Sequence, residues 1–384
     1  MTAQDSTARA TPLRSTTDQH AGQRAAQPSD IMLIEPLAKH RFDEAALSAW
    51  MAQALDEPEK PIKLLQFQGG MSNPTFLVRL ADGRRFVLRK KPPGDLLPKA
   101  HAVDREYRIM HALGPTAVPT PQMVAYCDDP SVIGVEFFLM EFVEGRIISD
   151  PAMAPVARDD RRDVAFSLVD TLAELHKIDW QACGLQDYGR PEGYLARQTS
   201  RWSGQYEASK SALPADFDYK GMDWLRDWLL ANSAVQEESA ITHGDFRVGN
   251  TILHPEKPKV VAVLDWELST IGHPLSDLAY LCLPYRLTGA LPGAPDLPAS
   301  GLPQEAQMLA RYVERTGRKD IPDWPVFLAF NCFRYAAIVQ GVAARAAQGT
   351  ASSASADPVR DGARARMVAE RGAEIARAYE AGQA

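Results

Sequence analysis

The 384-residue chain is 45% hydrophobic and 24% charged, with a formal net charge of -7. This is the balance of an ordinary soluble globular protein, long enough for two lobes or two modest domains. Its acidity excludes a general nucleic-acid binder, whose footprint is basic. The four cysteines, Cys127, Cys183, Cys282 and Cys332, lie far apart and form no C-x-x-C pair, so reduced thiols in a cytoplasmic protein are expected rather than zinc or redox chemistry. No apolar run approaches the length of a membrane span, and no membrane association is expected.

Residues 1–30 are rich in Ala, Thr, Ser, Gln and Arg and nearly lack large apolar side chains, which predicts a disordered leader. Ile62 to Phe67 alternates as a strand, and Gln68-Gly69-Gly70-Met71-Ser72-Asn73 reads as a glycine turn. Thr75 to Leu80 and Arg85 to Lys90 are two more strands, joined by the hairpin turn Ala81-Asp82-Gly83-Arg84. Helical spacing covers His101 to Leu113, with Val103, Tyr107, Met110 and Leu113 on one face. Met123 to Tyr126 and Val135 to Val143 complete a small antiparallel sheet accompanied by one helix.

From Gly145 the character changes. Val164, Leu168, Leu172 and Leu175 mark an amphipathic helix inside residues 158–178, and Ser200 to Leu230 is helical in pieces. Two short strands, Thr251 to His254 and Lys259 to Asp265, follow. Helices are expected at 275–283, 304–316, 325–347 and 359–381, with a Pro/Gly-rich loop at 286–303 of the kind used as a lid or left disordered.

The chemistry concentrates in Ile241-Thr242-His243-Gly244-Asp245-Phe246-Arg247-Val248-Gly249-Asn250 and in Leu264-Asp265-Trp266-Glu267. Singly, Asp245 and Asn250 read as turn residues and Asp265 as a strand-end cap. Jointly they recur in the order that phosphoryl transfer needs. One carboxylate aims an acceptor hydroxyl, and an amide oxygen and a second carboxylate hold Mg2+ against the phosphates of ATP. The protein-kinase loop H-R-D with Asn five residues after the Asp has the same spacing; here Gly244 replaces its Arg. A Walker-type NTPase is excluded, since no G-x-x-x-x-G-K-[ST] pattern occurs.

These motifs, with Gly272-His273-Pro274-Leu275-Ser276-Asp277-Leu278-Ala279, resemble the aminoglycoside phosphotransferase and choline kinase-like superfamily, relatives of the protein kinases. Gly69-Gly70-Met71-Ser72-Asn73-Pro74-Thr75-Phe76 and Val87-Leu88-Arg89-Lys90-Lys91-Pro92-Pro93-Gly94 are similar to one subgroup, found alone in bacteria and as the kinase-like portion of acyl-CoA dehydrogenase fusion proteins. The likeness runs from about residue 40 to the C-terminus, and the length leaves no room for a dehydrogenase domain beside it.

The resemblance implies an α+β, bilobal protein-kinase-like fold, with residues 31–143 as a small antiparallel-sheet N-lobe and 144–384 as a larger, mostly helical C-lobe. It makes Asp245 the catalytic aspartate and Asn250 and Asp265 the Mg2+ ligands. His243 becomes a loop anchor and Asp277 a buried brace of the catalytic loop, while Glu267 reads as a solvated or structural charge, with an outer-shell contact to the metal as the alternative. The turn at Gly69 and Gly70 is expected to cover the phosphates, with Ser72 and Asn73 as donors. Glu106 should pair with a strand cation; aligning Phe86-Val87-Leu88-Arg89 with kinase V-A-I-K selects Arg89, and a shift of one selects Lys90 on the opposite face. Arg89 is favoured. The segment Met140-Glu141-Phe142-Val143, with Glu141 and Val143, is the expected hinge, binding adenine through its backbone. Arg197, Arg201 and Arg334 are candidates for the acceptor side, against a surface salt-bridge reading for each.

The expected activity is ATP- and Mg2+-dependent phosphoryl transfer to a small-molecule hydroxyl, with a hydroxyacyl-CoA or hydroxy acid as the acceptor and an acyl-CoA dehydrogenase as a partner. Competing readings are an aminoglycoside or amino-alcohol kinase, and a nucleotide-binding pseudokinase that regulates an acyl-CoA enzyme.

Overall fold

The computed structural model describes residues 32–68, 73–94, 101–213, 218–235, 237–350 and 356–382. Gly69, Gly70, Ser72 and the leader at 1–30 lie outside the described residues. The chain divides into two compact units, the first spanning Met1–Gly114 and Thr120–Arg146, the second Pro115–Pro119 and Ile147–Ala384.

The first unit carries β1 (Met32–Ile34), α1 (Glu44–Leu55), β2 (Ile62–Gln68), β3 (Thr75–Leu80), β4 (Arg85–Lys90), α2 (Val103–Leu113), β5 (Met123–Cys127), the single turn α3 (Pro130–Ile133) and β6 (Phe137–Glu141). The strands form one six-stranded sheet of order β1-β2-β3-β4-β6-β5, antiparallel throughout. Two helices of length therefore accompany the sheet where one was expected. The extra one, α1, is capped by Asp43, whose carboxylate accepts from the amides of Ala45 and Ala46 at 2.9 and 3.1 Å.

Strand alternation sorts β4. Phe86 and Leu88 join Leu47, Met51, Phe76, Val78 and Phe137 in one buried apolar cluster. Arg89, one residue out of step, stands on the other face and meets α2 through Glu106. Trp50 of α1 packs edge-on against Phe137 at 4.7 Å, and Phe42 against Phe76 at 5.4 Å.

The second unit contains α4 (Arg161–His176), α5 (Tyr194–Lys210), α6 (Lys220–Ala231), β7 (Ala240–Thr242), β8 (Thr251–Leu253), β9 (Val260–Val263), β10 (Thr270–Gly272), α7 (Pro274–Leu287), α8 (Glu305–Thr316), α9 (Trp324–Ala347) and α10 (Pro358–Glu380). Two small antiparallel ladders, β7 with β10 and β8 with β9, lie among the helices. They fix both ends of the loop that follows β7. The central helix α9 packs against α5, α6, α7 and α10. With 24 residues and a mean hydropathy of 1.4 over its most apolar window, it is long and apolar enough to cross a membrane, contrary to the sequence expectation. Since 78% of that window is buried inside the fold, core packing accounts for its composition.

The loop after α7, expected as a lid or a disordered stretch, is packed down. Leu291, Leu297 and Leu302 are buried. Arg161 donates to the Ser300 carbonyl at 2.7 Å, and the Tyr285 hydroxyl to the Pro303 carbonyl at 2.9 Å.

Candidate active site

In the first unit the charged centre is Glu106, only 1% exposed on α2. One carboxylate oxygen accepts from the buried amide of Asn73 at 2.7 Å, and the other pairs with the Arg89 guanidinium at 2.8 Å. The other end of the Asn73 side chain meets His101 Nδ1 at 2.9 Å. A buried carboxylate is tolerable only when so partnered. Lys90, on the opposite face, is buried beside the Phe42 ring at 5.7 Å, and burial lowers its pKa. The choice between the two cations is thus settled by register: the pair with Glu106 is made by Arg89. Glu141 ends β6, and its amide donates to the Gln122 carbonyl at 2.9 Å; Val143 lies two residues further on.

In the second unit the loop between β7 and β8 is held from behind. Asp277, near the start of α7 and buried, accepts the amides of His243 at 2.6 Å and Gly244 at 2.9 Å. Burial by itself would raise the Asp277 pKa. The bond and charge of His176 and the Gly244 amide act against it, and the net shift is downward. His176, on α4, stands 3.5 Å from the Asp277 carboxylate through Nε2 and 2.7 Å from the Tyr312 hydroxyl through Nδ1.

His243 is fully buried against Phe246 and Trp266. Its Nδ1 accepts the Asp245 amide at 3.2 Å, and its Nε2 faces the Leu264 carbonyl at 2.9 Å. A neutral ring with its proton on Nε2 satisfies both bonds. Gly244 is required by two constraints at once. Its φ is +82°, and a Cβ there would lie 2.6 Å from the Leu268 carbonyl oxygen.

This anchoring presents Asp245 and Asn250 together. The Asn250 amide nitrogen donates to the Asp245 carboxylate at 2.7 Å and to its carbonyl at 2.9 Å. The Asn250 carbonyl accepts the Leu264 amide at 2.8 Å, which brings the end of β9, and so Asp265, beside Asn250 along the backbone. Asp265 is left-handed, with φ 65° and ψ 58°, a conformation costing on the order of 1 kcal/mol and concentrated at functional sites. The turn after it is pinned by buried Trp266, whose indole donates to the Val263 carbonyl at 3.1 Å. Glu267 is exposed.

The three acceptor-side arginines fare differently. Arg197 donates to the Arg190 carbonyl at 2.5 Å, and Arg201 is exposed over the Trp202 ring. Arg334, on α9, is 4% exposed, donates to the Gly244 carbonyl and lies over the rings of Trp202 and Tyr280. It braces the loop that carries Asp245.

Three site residues escaped the sequence reading. Tyr280 of α7 reaches the Asp245 side chain, and its pKa is raised by burial and by that carboxylate's charge. Arg247 stands 3.5 Å from the Asp245 carboxylate, and His176 backs Asp277. Arg247 lies inside the quoted motif and was open to assignment by its position two residues after Asp245. The other two are brought in by distant helices.

No cluster of three or more His, Cys, Asp or Glu placed for a metal occurs among the described residues. The Asn250 amide and the Asp265 carboxylate nevertheless fit Mg2+, which takes hard oxygens, keeps several waters and needs only one or two protein ligands beside phosphates.

A sheet-borne cation–glutamate pair, with a loop Asp–Asn pair preceding a strand-end Asp, defines a phosphotransferase of kinase type. The chain belongs to the phosphotransferase enzyme family, whose profile matches residues 63–327. It is 41% identical over 331 residues to acyl-CoA dehydrogenase family member 11 of Pongo abelii, which covers 84% of this chain and 42% of that protein. The chain thus spans less than half the length of that relative. A solved structure from Ralstonia eutropha, given the provisional description of an aminoglycoside phosphotransferase, is 41% identical with a TM-score of 0.76, covering 88% of this chain and 99% of that one. Choline kinase from Cryptosporidium parvum shares the protein-kinase-like fold, with a TM-score of 0.58 at 13% identity over 84% of this chain and 91% of that one.

Proposed function

We propose that the chain transfers the γ-phosphoryl group of ATP to a hydroxyl of a small molecule, a hydroxyacyl-CoA or related hydroxy acid. The observation that carries the reading is the Asp245–Asn250 pair at 2.7 Å, tied through the Asn250 carbonyl to the Leu264 amide just before Asp265. Asp245 would accept the acceptor's hydroxyl proton and point its oxygen in line with the phosphorus. In a loose transition state, positioning counts for more than early deprotonation. Asn250 and Asp265 would hold Mg2+ through Oδ1 and the carboxylate. Held there, Mg2+ would supply neutralisation of the charge that develops on the phosphates. Arg89, oriented by Glu106, would grip the α/β-phosphates as a guanidinium fork. Because the Glu141 amide is engaged by Gln122, a backbone donor for adenine would come from Phe142 or Val143.

The dehydrogenase-named relative supports an acyl-CoA-linked acceptor and an acyl-CoA dehydrogenase as partner. The description of the Ralstonia eutropha protein supports a second reading, aminoglycoside modification. ADP release is followed with ATP, Mg2+ and panels of hydroxyacyl-CoAs and aminoglycosides, against an Asp245→Ala control. Turnover confined to the aminoglycosides selects the second reading. Turnover no higher than the control with any acceptor refutes both.

A further inference from the structure

Arg247 stands two residues after Asp245 on fully extended backbone, with φ -154° and ψ 163°. Its Nε lies 3.5 Å from Asp245 Oδ2, the oxygen that also takes the Asn250 amide at 2.7 Å. Oδ1 is held by neither. The Arg247 side chain is 47% exposed and that of Asp245 21%, so the guanidinium is the more open of the two. Its Nη1 rests over Gly249, where a Cβ would stand 2.5 Å away. Gly249 has no left-handed backbone, so its missing side chain serves the space that the guanidinium fills. Arg334 already holds the loop from its buried side through the Gly244 carbonyl, and Asn250 already fixes the Asp245 carboxylate. As one more brace Arg247 would add little, because half-exposed ion pairs contribute little.

The reaction itself puts another anion within its reach. An acceptor oxygen hydrogen-bonded to Asp245 stands about 2.6–3.2 Å from it, and the phosphorus it attacks about 3–3.5 Å beyond. A guanidinium 3.5 Å from the same carboxylate meets the phosphoryl oxygens by rotating about its own side-chain bonds. We infer that Arg247 leaves Asp245 when the substrates bind and forks the phosphoryl group in flight, as a catalytic residue supplied by the loop itself. The inference rests on the phosphotransferase reading and adds a cation on the Asp245 side of the phosphorus. The bond from phosphorus to the ADP oxygen breaks as the bond to the acceptor oxygen forms, and the acceptor's proton passes to Asp245. Negative charge spreads over the three equatorial oxygens, which a planar guanidinium meets with two parallel N–H bonds. The acceptor hydroxyl takes the place of Arg247 at the carboxylate, so Asp245 exchanges one partner for another.

ADP–Mg2+ is titrated calorimetrically into the full chain with and without aluminium fluoride, a planar anion that stands in for the phosphoryl group in flight. Aluminium fluoride should tighten ADP binding to the wild-type chain. Arg247→Ala should remove about tenfold or more of that tightening, with the affinity for ADP–Mg2+ alone held within about twofold. The urea midpoint should be preserved, since the side chain is half-exposed. Asp245→Asn separates contact from bracing. A cation that touches the phosphoryl group keeps its effect when Asp245 loses its charge, whereas one that acts by holding Asp245 does not. Arg247→Ala should therefore cost a similar factor in the Asp245→Asn background. Three results overturn the assignment of Arg247 with the phosphotransferase reading intact: no tightening in the wild-type chain, tightening that Arg247→Ala changes by less than about threefold, or a loss that vanishes in the Asp245→Asn background. Failure of ADP–Mg2+ itself to bind defeats the phosphotransferase reading, and the assignment with it.

Discussion

Replacing Asp277 by Asn tests the anchoring of the catalytic loop. The two carboxylate oxygens accept different amides, His243 at 2.6 Å and Gly244 at 2.9 Å. An Asn amide is isosteric but has one oxygen. Whichever way it turns, its NH2 faces one of the two backbone N–H groups, and a buried donor is left opposite another donor. A hydrogen bond to a charged group contributes about 1.5–3 kcal/mol, and breaking a buried charged network costs about 3–5 kcal/mol. The variant should therefore lose about 3–5 kcal/mol in urea unfolding, and the amides of His243 and Gly244 should lose hydrogen-exchange protection. The sign with pH follows from the depressed pKa of Asp277. Its stabilisation is complete above the unfolded-state pKa near 3.9 and is lost as pH falls through the lower folded-state value. The variant should lack that acid-side loss, so the two stability curves converge in strong acid and run apart by a constant amount above about pH 5. A stability loss below about 1 kcal/mol at neutral pH, or protection retained at both amides, would refute the account of the loop's anchoring.

Further outcomes follow from the two sets of site residues. Asp245→Asn should lower kcat by about 10²–10⁴-fold with the unfolding midpoint preserved, because its loss removes proton acceptance but keeps the bond to Asn250; steady-state ADP release checks it. Arg89→Met should raise the KM for ATP and strand the buried Glu106 charge, costing about 3–5 kcal/mol. Adding Glu106→Gln should recover stability without recovering ATP affinity. Lys90→Met should leave ATP kinetics unchanged, since Lys90 occupies the opposite face of the strand. Gly244→Ala should cost about 1–3 kcal/mol from backbone strain alone, with more from the collision with the Leu268 carbonyl; thermal melting measures it.

How far the sequence could be read follows from the range of each interaction. The Asp245–Asn250 bond spans five residues, so spacing alone announces it. The β3–β4 hairpin is announced by Asp82-Gly83 for the same reason. The pairing of β7 with β10 is different: each strand has only three residues, and neither carries an alternation long enough to detect. Helix α1 escaped because Ala-rich Glu44–Leu55 has little contrast between its faces, so the period that marks a helix is faint. Arg334 looks like a surface charge in sequence, and its burial depends on the Gly244 carbonyl ninety positions away. The Arg89–Lys90 choice shows the limit most clearly. Alternation states that the two point to opposite faces, but only the placement of α2 says which face holds Glu106. Local spacing therefore reveals the groups that would perform the chemistry, whereas the groups that hold them in place are supplied by long-range packing. Residues of the second kind, His176, Asp277 and Arg334, are where substitutions should separate folding of the loop from its reactivity.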